Sequence, residues 1–113
     1  MNEALSPIKM DTGDLVRRKV PLSDDISRNL SKMGEITGQD LSFLVKMFIM
    51  EGMESNVHDI DLSSSKDLKC FTLSSQAKNK IEATAASMKI SEEKAIICYI
   101  EQGLERYKSE WKE

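Results

Sequence analysis

The chain has 113 residues, of which 31% are charged, 40% fall in the hydrophobic set and 5% are aromatic. That length suits one compact domain, since domains commonly run to roughly 100–150 residues. With 16 basic and 19 acidic side chains the formal net charge is -3, which excludes a uniformly basic nucleic-acid coat but leaves room for a local basic patch.

Chemistry-bearing patterns are few. The longest apolar runs, Met47 to Met50 and Ala95 to Ile100, fall far short of the ~20 residues that span a bilayer, so no membrane segment is expected. Met1 to Asp14 has no cationic start followed by an apolar core, so it does not read as a secretory signal. Cys70 and Cys98 are accordingly expected to be free thiols in a reducing, cytoplasmic setting. The one histidine, His58, lies in the polar stretch Ser55 to Asp67, and there is no Cys-x-x-Cys, so neither metal nor cofactor is expected. A Cys–His pair brought together in space would be a nucleophilic reading, but His58 looks like a solvated linker residue. The five glycines are scattered and form no phosphate loop. Asp24-Asp25 and Glu92-Glu93 sit at expected helix starts, where the helix dipole explains them without acid–base chemistry. No enzyme is expected.

In chain order, residues 1–15 read as a flexible segment and residues 16–55 as a first structural unit. Val16, Val20 and Leu22 share one face of a short extended stretch, with Arg17, Lys19 and Pro21 on the other. Ser23 caps a helix in which Ile26, Leu30 and Met33 follow at steps of four and three, ending near Thr37-Gly38. Asp40 caps a second helix whose Leu41, Leu44, Val45, Phe48, Ile49 and Met53 make a broad apolar face. Residues 56–67, with Ser63, Ser64 and Ser65 in a row, read as a linker, and 68–113 as a second unit. There Phe71 and Leu73 face inward. Ser74 or Ser75 opens a helix carrying Ala77, Ile81, Thr84 and Met88. Ser91 opens the last one, with Ala95, Ile96, Tyr99, Ile100 and Leu104 apolar, and the spacing leaves open whether it continues toward Trp111.

The two units are copies. A shift of 51 positions brings Leu22-Ser23 onto Leu73-Ser74, Val20 onto Phe71, Leu30 onto Ile81, Phe48 onto Tyr99, Ile49 onto Ile100, Gly52 onto Gly103 and Asp40 onto Ser91. One unit of some forty residues cannot bury its own apolar faces, and a lone strand has unpaired backbone groups. Pairing the strands antiparallel and closing four helices around a shared core solves both, giving a mainly α fold with a two-stranded antiparallel ribbon in which residues 16–113 form one domain.

Strand, helix, turn, helix at this spacing resembles the ribbon-helix-helix family, the Arc and MetJ type of DNA-binding protein. The residues that carry the resemblance are Leu22, Ile26, Leu30, Met33, Gly38 and Asp40, and in the second copy Leu73, Ala77, Ile81, Thr84, Lys89 and Ser91, with Lys89 where the family has glycine. A tandem pair in one chain, an intramolecular pseudo-dimer, looks most like TraY-type accessory proteins of conjugative plasmids and some viral regulators. The resemblance implies a repressor or a transfer- or replication-origin accessory protein that binds double-stranded DNA, with a further copy of itself alongside. Outward ribbon side chains would enter the major groove: Arg17 and Lys19 with Pro21 from one strand, Cys70 and Thr72 with Leu68 from the other. Arg18 and Lys69, on the inward parity at the ribbon's ends, would reach backbone phosphates. Backbone N–H groups around Gln39, Asp40 and Ser42, and around Ser91 to Glu93, would anchor phosphates.

The rival reading is a protein-interaction module, like small phage inhibitors or antitoxins, that keeps the fold without reading DNA. The net charge, the weak base readers Pro21, Cys70 and Thr72, and the acids Glu92 and Glu93 motivate it. Met47, Met50 and Met53, with Phe43 and Ile49, are expected to be mostly core, the remainder forming a patch for a partner chain. Trp111 is either a cap on the bundle or an external contact.

Overall fold

The computed structural model describes residues 15–52 and 67–111. His58, Met53, the Ser63–Ser65 run and the first fourteen residues lie outside that range. The order is β1 (Val16–Leu22), α1 (Asp24–Thr37), α2 (Leu41–Glu51), β2 (Asp67–Leu73), α3 (Ser75–Met88), α4 (Glu92–Arg106) and a short α5 (Lys108–Trp111). The described residues are mostly helical, with one two-stranded sheet among them. The starts of β1, α1 and α2 each stand 51 positions before those of β2, α3 and α4. Among the described residues no helix is long and apolar enough to cross a membrane.

β1 and β2 pair antiparallel, Val16 opposite Leu73 and Leu22 opposite Asp67. Val20, Leu22, Phe71 and Leu73 are buried on the inner face, as their alternation requires. β2 begins one residue earlier than the composition of the preceding stretch suggests. Asp67 is held there because its carboxylate accepts the Ser27 hydroxyl and lies 3.6 Å from Lys69 Nζ.

Local chemistry sets the helix ends. Ser23, Ser74 and Ser91 are N-caps whose hydroxyls accept the backbone N–H groups of Ile26, Ala77 and Lys94. Asp40 occupies the same position before α2, but its side chain makes no capping hydrogen bond. α1 ends on Gly38 with φ at 72°, its N–H donating to Gly34 O, the left-handed ending that glycine adopts without strain. Lys89 takes the same conformation, φ 60° and ψ 46°. It is kept there because Ile90 N–H donates to Ala85 O, 3.0 Å away, while the Ile90 side chain packs against the core, a Schellman ending with its hydrophobic contact.

α4 is the central helix. Ala95 to Ile100 are six consecutive buried residues, the pattern of a helix surrounded on all sides. Ile97 and Cys98 therefore join the expected apolar stripe. Phe48 of α2 lies directly on Gly103 of α4: a Cβ at 103 would stand 2.2 Å from Phe48 Cγ. The Phe48 ring also stacks on Tyr107 with centroids 6.0 Å apart. One apolar expectation needs correction. Met88 is 44% exposed, and Ala85 is the buried residue in that last turn of α3. The last helix does not run unbroken, since Tyr107 interrupts it before α5. Trp111 is a cap on the bundle: it is 8% exposed, and its Nε1 donates to Leu104 O at 2.9 Å.

Candidate nucleic-acid interface

The outer face of the ribbon is built by strand parity. Arg17 and Lys19 are exposed, and Pro21 is half-buried. Across from them stand Thr72, Cys70 and Leu68 respectively. In an antiparallel ladder, opposed residues alternate between hydrogen-bonded and non-bonded pairs, and side chains of the non-bonded pairs lie closer. Thr72 N–H leaves the ladder and donates to Ser42 Oγ at 2.9 Å, which assigns Arg17–Thr72 to the non-bonded class. By alternation Lys19–Cys70 and Pro21–Leu68 belong to it too. This is the site in the ladder where proline removes no inter-strand bond. The face thus carries its two cations on β1 and an apolar pair, Pro21 and Leu68, at one end.

Each edge of the ribbon meets the start of a helix, and the two edges differ. On the β2 edge Ser42, in the first turn of α2, accepts the Thr72 N–H. A shallow groove of about 240 Å³ there is lined by Leu15, Asp40, Phe43 and Lys46 among others. On the β1 edge Arg18 Nε donates to Glu92 Oε1 at 3.2 Å. A groove of about 300 Å³ runs between Arg18, Lys19, Glu92, Glu93 and Ile96. The counterparts of Glu92 and Glu93, 51 positions earlier, are Leu41 and Ser42.

The structure pairs the expected strand residues in one ribbon and gives several of the expected residues protein partners. Arg17, Lys19 and Cys70 are exposed, and Thr72 is half-buried. Arg18 and Lys69 do sit on the inward parity, but each is the third residue of its strand rather than at a ribbon end. Their charged heads meet Glu92 and Asp67. Gln39 and Asp40 are exposed ahead of α2, while the Ser42 hydroxyl is committed to the ribbon. Ser91 is exposed and caps Lys94 N–H. Neither Glu92 as the partner of Arg18 nor Ser42 as the acceptor for Thr72 is readable from spacing, because the pairs are 74 and 30 residues apart.

A second polar cluster lies at the C-terminal ends of α2 and α4. Glu51 accepts the Tyr107 hydroxyl and pairs with Arg106 at 2.8 Å. The Glu51 hydrogen bond, with some desolvation, raises the Tyr107 pKa above its ordinary 10.0. Arg106 and Lys80 also donate to Gly52 O and Met50 O, the last carbonyls of α2 that favour cations. This cluster fastens α2 rather than forming a reactive centre. Among the described residues no three His, Cys, Asp or Glu side chains are grouped to hold a metal.

No protein-family model, curated protein or solved structure matches the chain, so the candidate interface rests on its own geometry.

Proposed function

We propose that the chain is a ribbon-helix-helix pseudo-dimer that binds double-stranded DNA by placing its β1–β2 ribbon in the major groove, as a repressor or an origin accessory protein. The observation that carries the reading is the exposure of Arg17 and Lys19 on a two-stranded ribbon whose edges both meet helix starts. A two-stranded ribbon fits the ~12 Å major groove, and an arginine there can bond guanine O6 and N7 together. Thr72 adds a hydroxyl beside Arg17, and Pro21 with Leu68 offers an apolar contact for a thymine methyl. The first-turn N–H groups of α2 supply the phosphate anchor near Gln39, Asp40 and Ser42.

The test is selection of bound fragments from a random duplex pool at moderate salt, with the Arg17→Ala, Lys19→Ala double variant in parallel. An enriched motif that the variant fails to select is the expected result. Arg17→Ala alone should weaken binding to that motif by about 1–3 kcal/mol. Absence of salt-sensitive binding to any duplex refutes the proposal. A second reading, a protein-binding module on the same fold, is favoured by Phe43 and Met50, which are 45% and 41% exposed on α2. It requires a protein partner whose binding is lost on changing Phe43 or Met50 and kept on changing Arg17.

A further inference from the structure

Both edges of the ribbon meet the start of a helix, but they place their charges differently: the β1-edge groove carries Glu92 and Glu93 beside Arg18 and Lys19, and the β2-edge groove carries Asp40 and Lys46. On the β2 edge the first turn of α2 begins Leu41-Ser42, and Lys46 follows one turn later in the same groove. On the β1 edge the first turn of α4 begins Glu92-Glu93. Glu92 draws the Arg18 guanidinium into a half-buried ion pair, with Nε and Oε1 3.2 Å apart and side chains 32% and 39% exposed. Arg18 is thereby turned along the ribbon edge toward α4. A phosphate approaching that groove would meet Lys19, but to reach Arg18 it would have to displace a carboxylate and still face Glu93. The corresponding basic residue on the other strand, Lys69, is engaged by Asp67 of its own strand, so no carboxylate is drawn into the β2-edge groove by it. Asp40 lies ahead of α2 there, exposed and without a capping bond.

We propose that Glu92, by holding Arg18 and keeping a carboxylate beside Glu93 in the β1-edge groove, makes binding one-sided: the DNA backbone is gripped along the β2–α2 edge and kept off the β1–α4 edge. Glu92 is then a specificity-determining residue that gives the complex a polarity, so the preferred site is not a palindrome. This inference rests on the DNA-binding reading and adds to it the direction in which the duplex is held.

The experiment compares the wild type with the Glu92→Gln, Glu93→Ser double variant. The second change copies the residue found 51 positions earlier. Binding to the selected duplex and to a mixed-sequence duplex is measured across a salt series. Contacts on the selected duplex are mapped by phosphate ethylation interference, and thermal unfolding verifies that the variant is folded. For the wild type, interference should cluster on one side of the site. In the variant a second cluster should appear on the other side, low-salt affinity should rise roughly tenfold, and the salt slope should steepen by about one, the increment expected for one added phosphate contact. Glu92→Gln alone, which keeps the side-chain shape, should give part of the same gain. A wild type that contacts phosphates equally on both sides, or a folded variant with wild-type slope and footprint, overturns the one-sided arrangement while leaving DNA binding in place. Failure of wild type and variant alike to bind either duplex overturns both readings.

Discussion

The two halves of the molecule use the same order of elements and diverge most in their last long helix. α2 has 11 residues, buries Leu44, Val45, Phe48 and Ile49, and leaves Phe43, Lys46 and Met50 exposed. α4 has 15 residues, buries Ala95 to Ile100 without a break and is followed by α5, whose Trp111 covers Leu104. The first half supplies the cationic strand; the second supplies the centre of the core. A repeated pattern therefore need not mean repeated duty. Once one helix is enclosed by the other elements, its counterpart is left with an open side and its sequence is free to differ.

The sharpest way to break this division is at the contact between the two helices. Phe48→Ala should lower stability by about 4 kcal/mol in urea unfolding, because a fully buried ring is lost over a backbone that cannot close the gap. Phe43→Ala, on the open side of the same helix, should stay within about 0.5 kcal/mol. A comparable loss at both positions would show that α2 has no open side. The reciprocal change, Gly103→Ala, should cost about 3 kcal/mol, since the new methyl would overlap the Phe48 ring. Combined with Phe48→Leu it should cost less than the two changes summed, as expected of residues in contact.

The helix endings sharpen the comparison with a smaller effect. Lys89→Gly should stabilise the chain by about 1 kcal/mol by relieving a left-handed lysine, while Gly38→Ala should destabilise it by a similar amount. If Lys89→Gly proves neutral, the Ile90 contact already offsets the strain in full. The smallest effect concerns Tyr107. Its folded pKa is raised, so the stability it contributes is complete below the unfolded value near 10 and is lost as pH rises through the folded value. Unfolding followed from pH 9 to pH 12 should show a small alkaline loss that Tyr107→Phe removes.

Much of the fold was legible along the chain. The Ser23 and Ser91 caps, the Gly38 ending and the inward parity of Val20, Leu22, Phe71 and Leu73 are local signals, each decided within a few residues, whereas the choice of Ser74 over Ser75 came with the structure. The 51-residue offset added the equivalence of the two halves. The candidate interface was legible only as parity: which side chains face out is set by the strand, and of the six on that face Arg17, Lys19, Leu68 and Cys70 are exposed while Pro21 and Thr72 are half-buried. What Arg18 and Ser42 touch was hidden, because those partners come from the other half of the chain. Met88 was misplaced for a related reason. Helical spacing offers several faces in an alanine-rich helix, and packing against α4 selects the one that buries Ala77, Ile81 and Ala85.

By itself the sequence determined the elements, the Ser23 and Ser91 caps and the alternation of the ribbon, since these depend on backbone sterics and on hydrogen bonds between near neighbours. Only the tertiary structure decided which of two similar helices becomes the centre, that Trp111 closes the bundle, and that the two ribbon edges differ. Those outcomes depend on side-chain volumes and charges brought together in the folded chain, the two ribbon-edge contacts across 30 and 74 residues. No local pattern encodes such meetings, because each is the result of all the packing choices made at once.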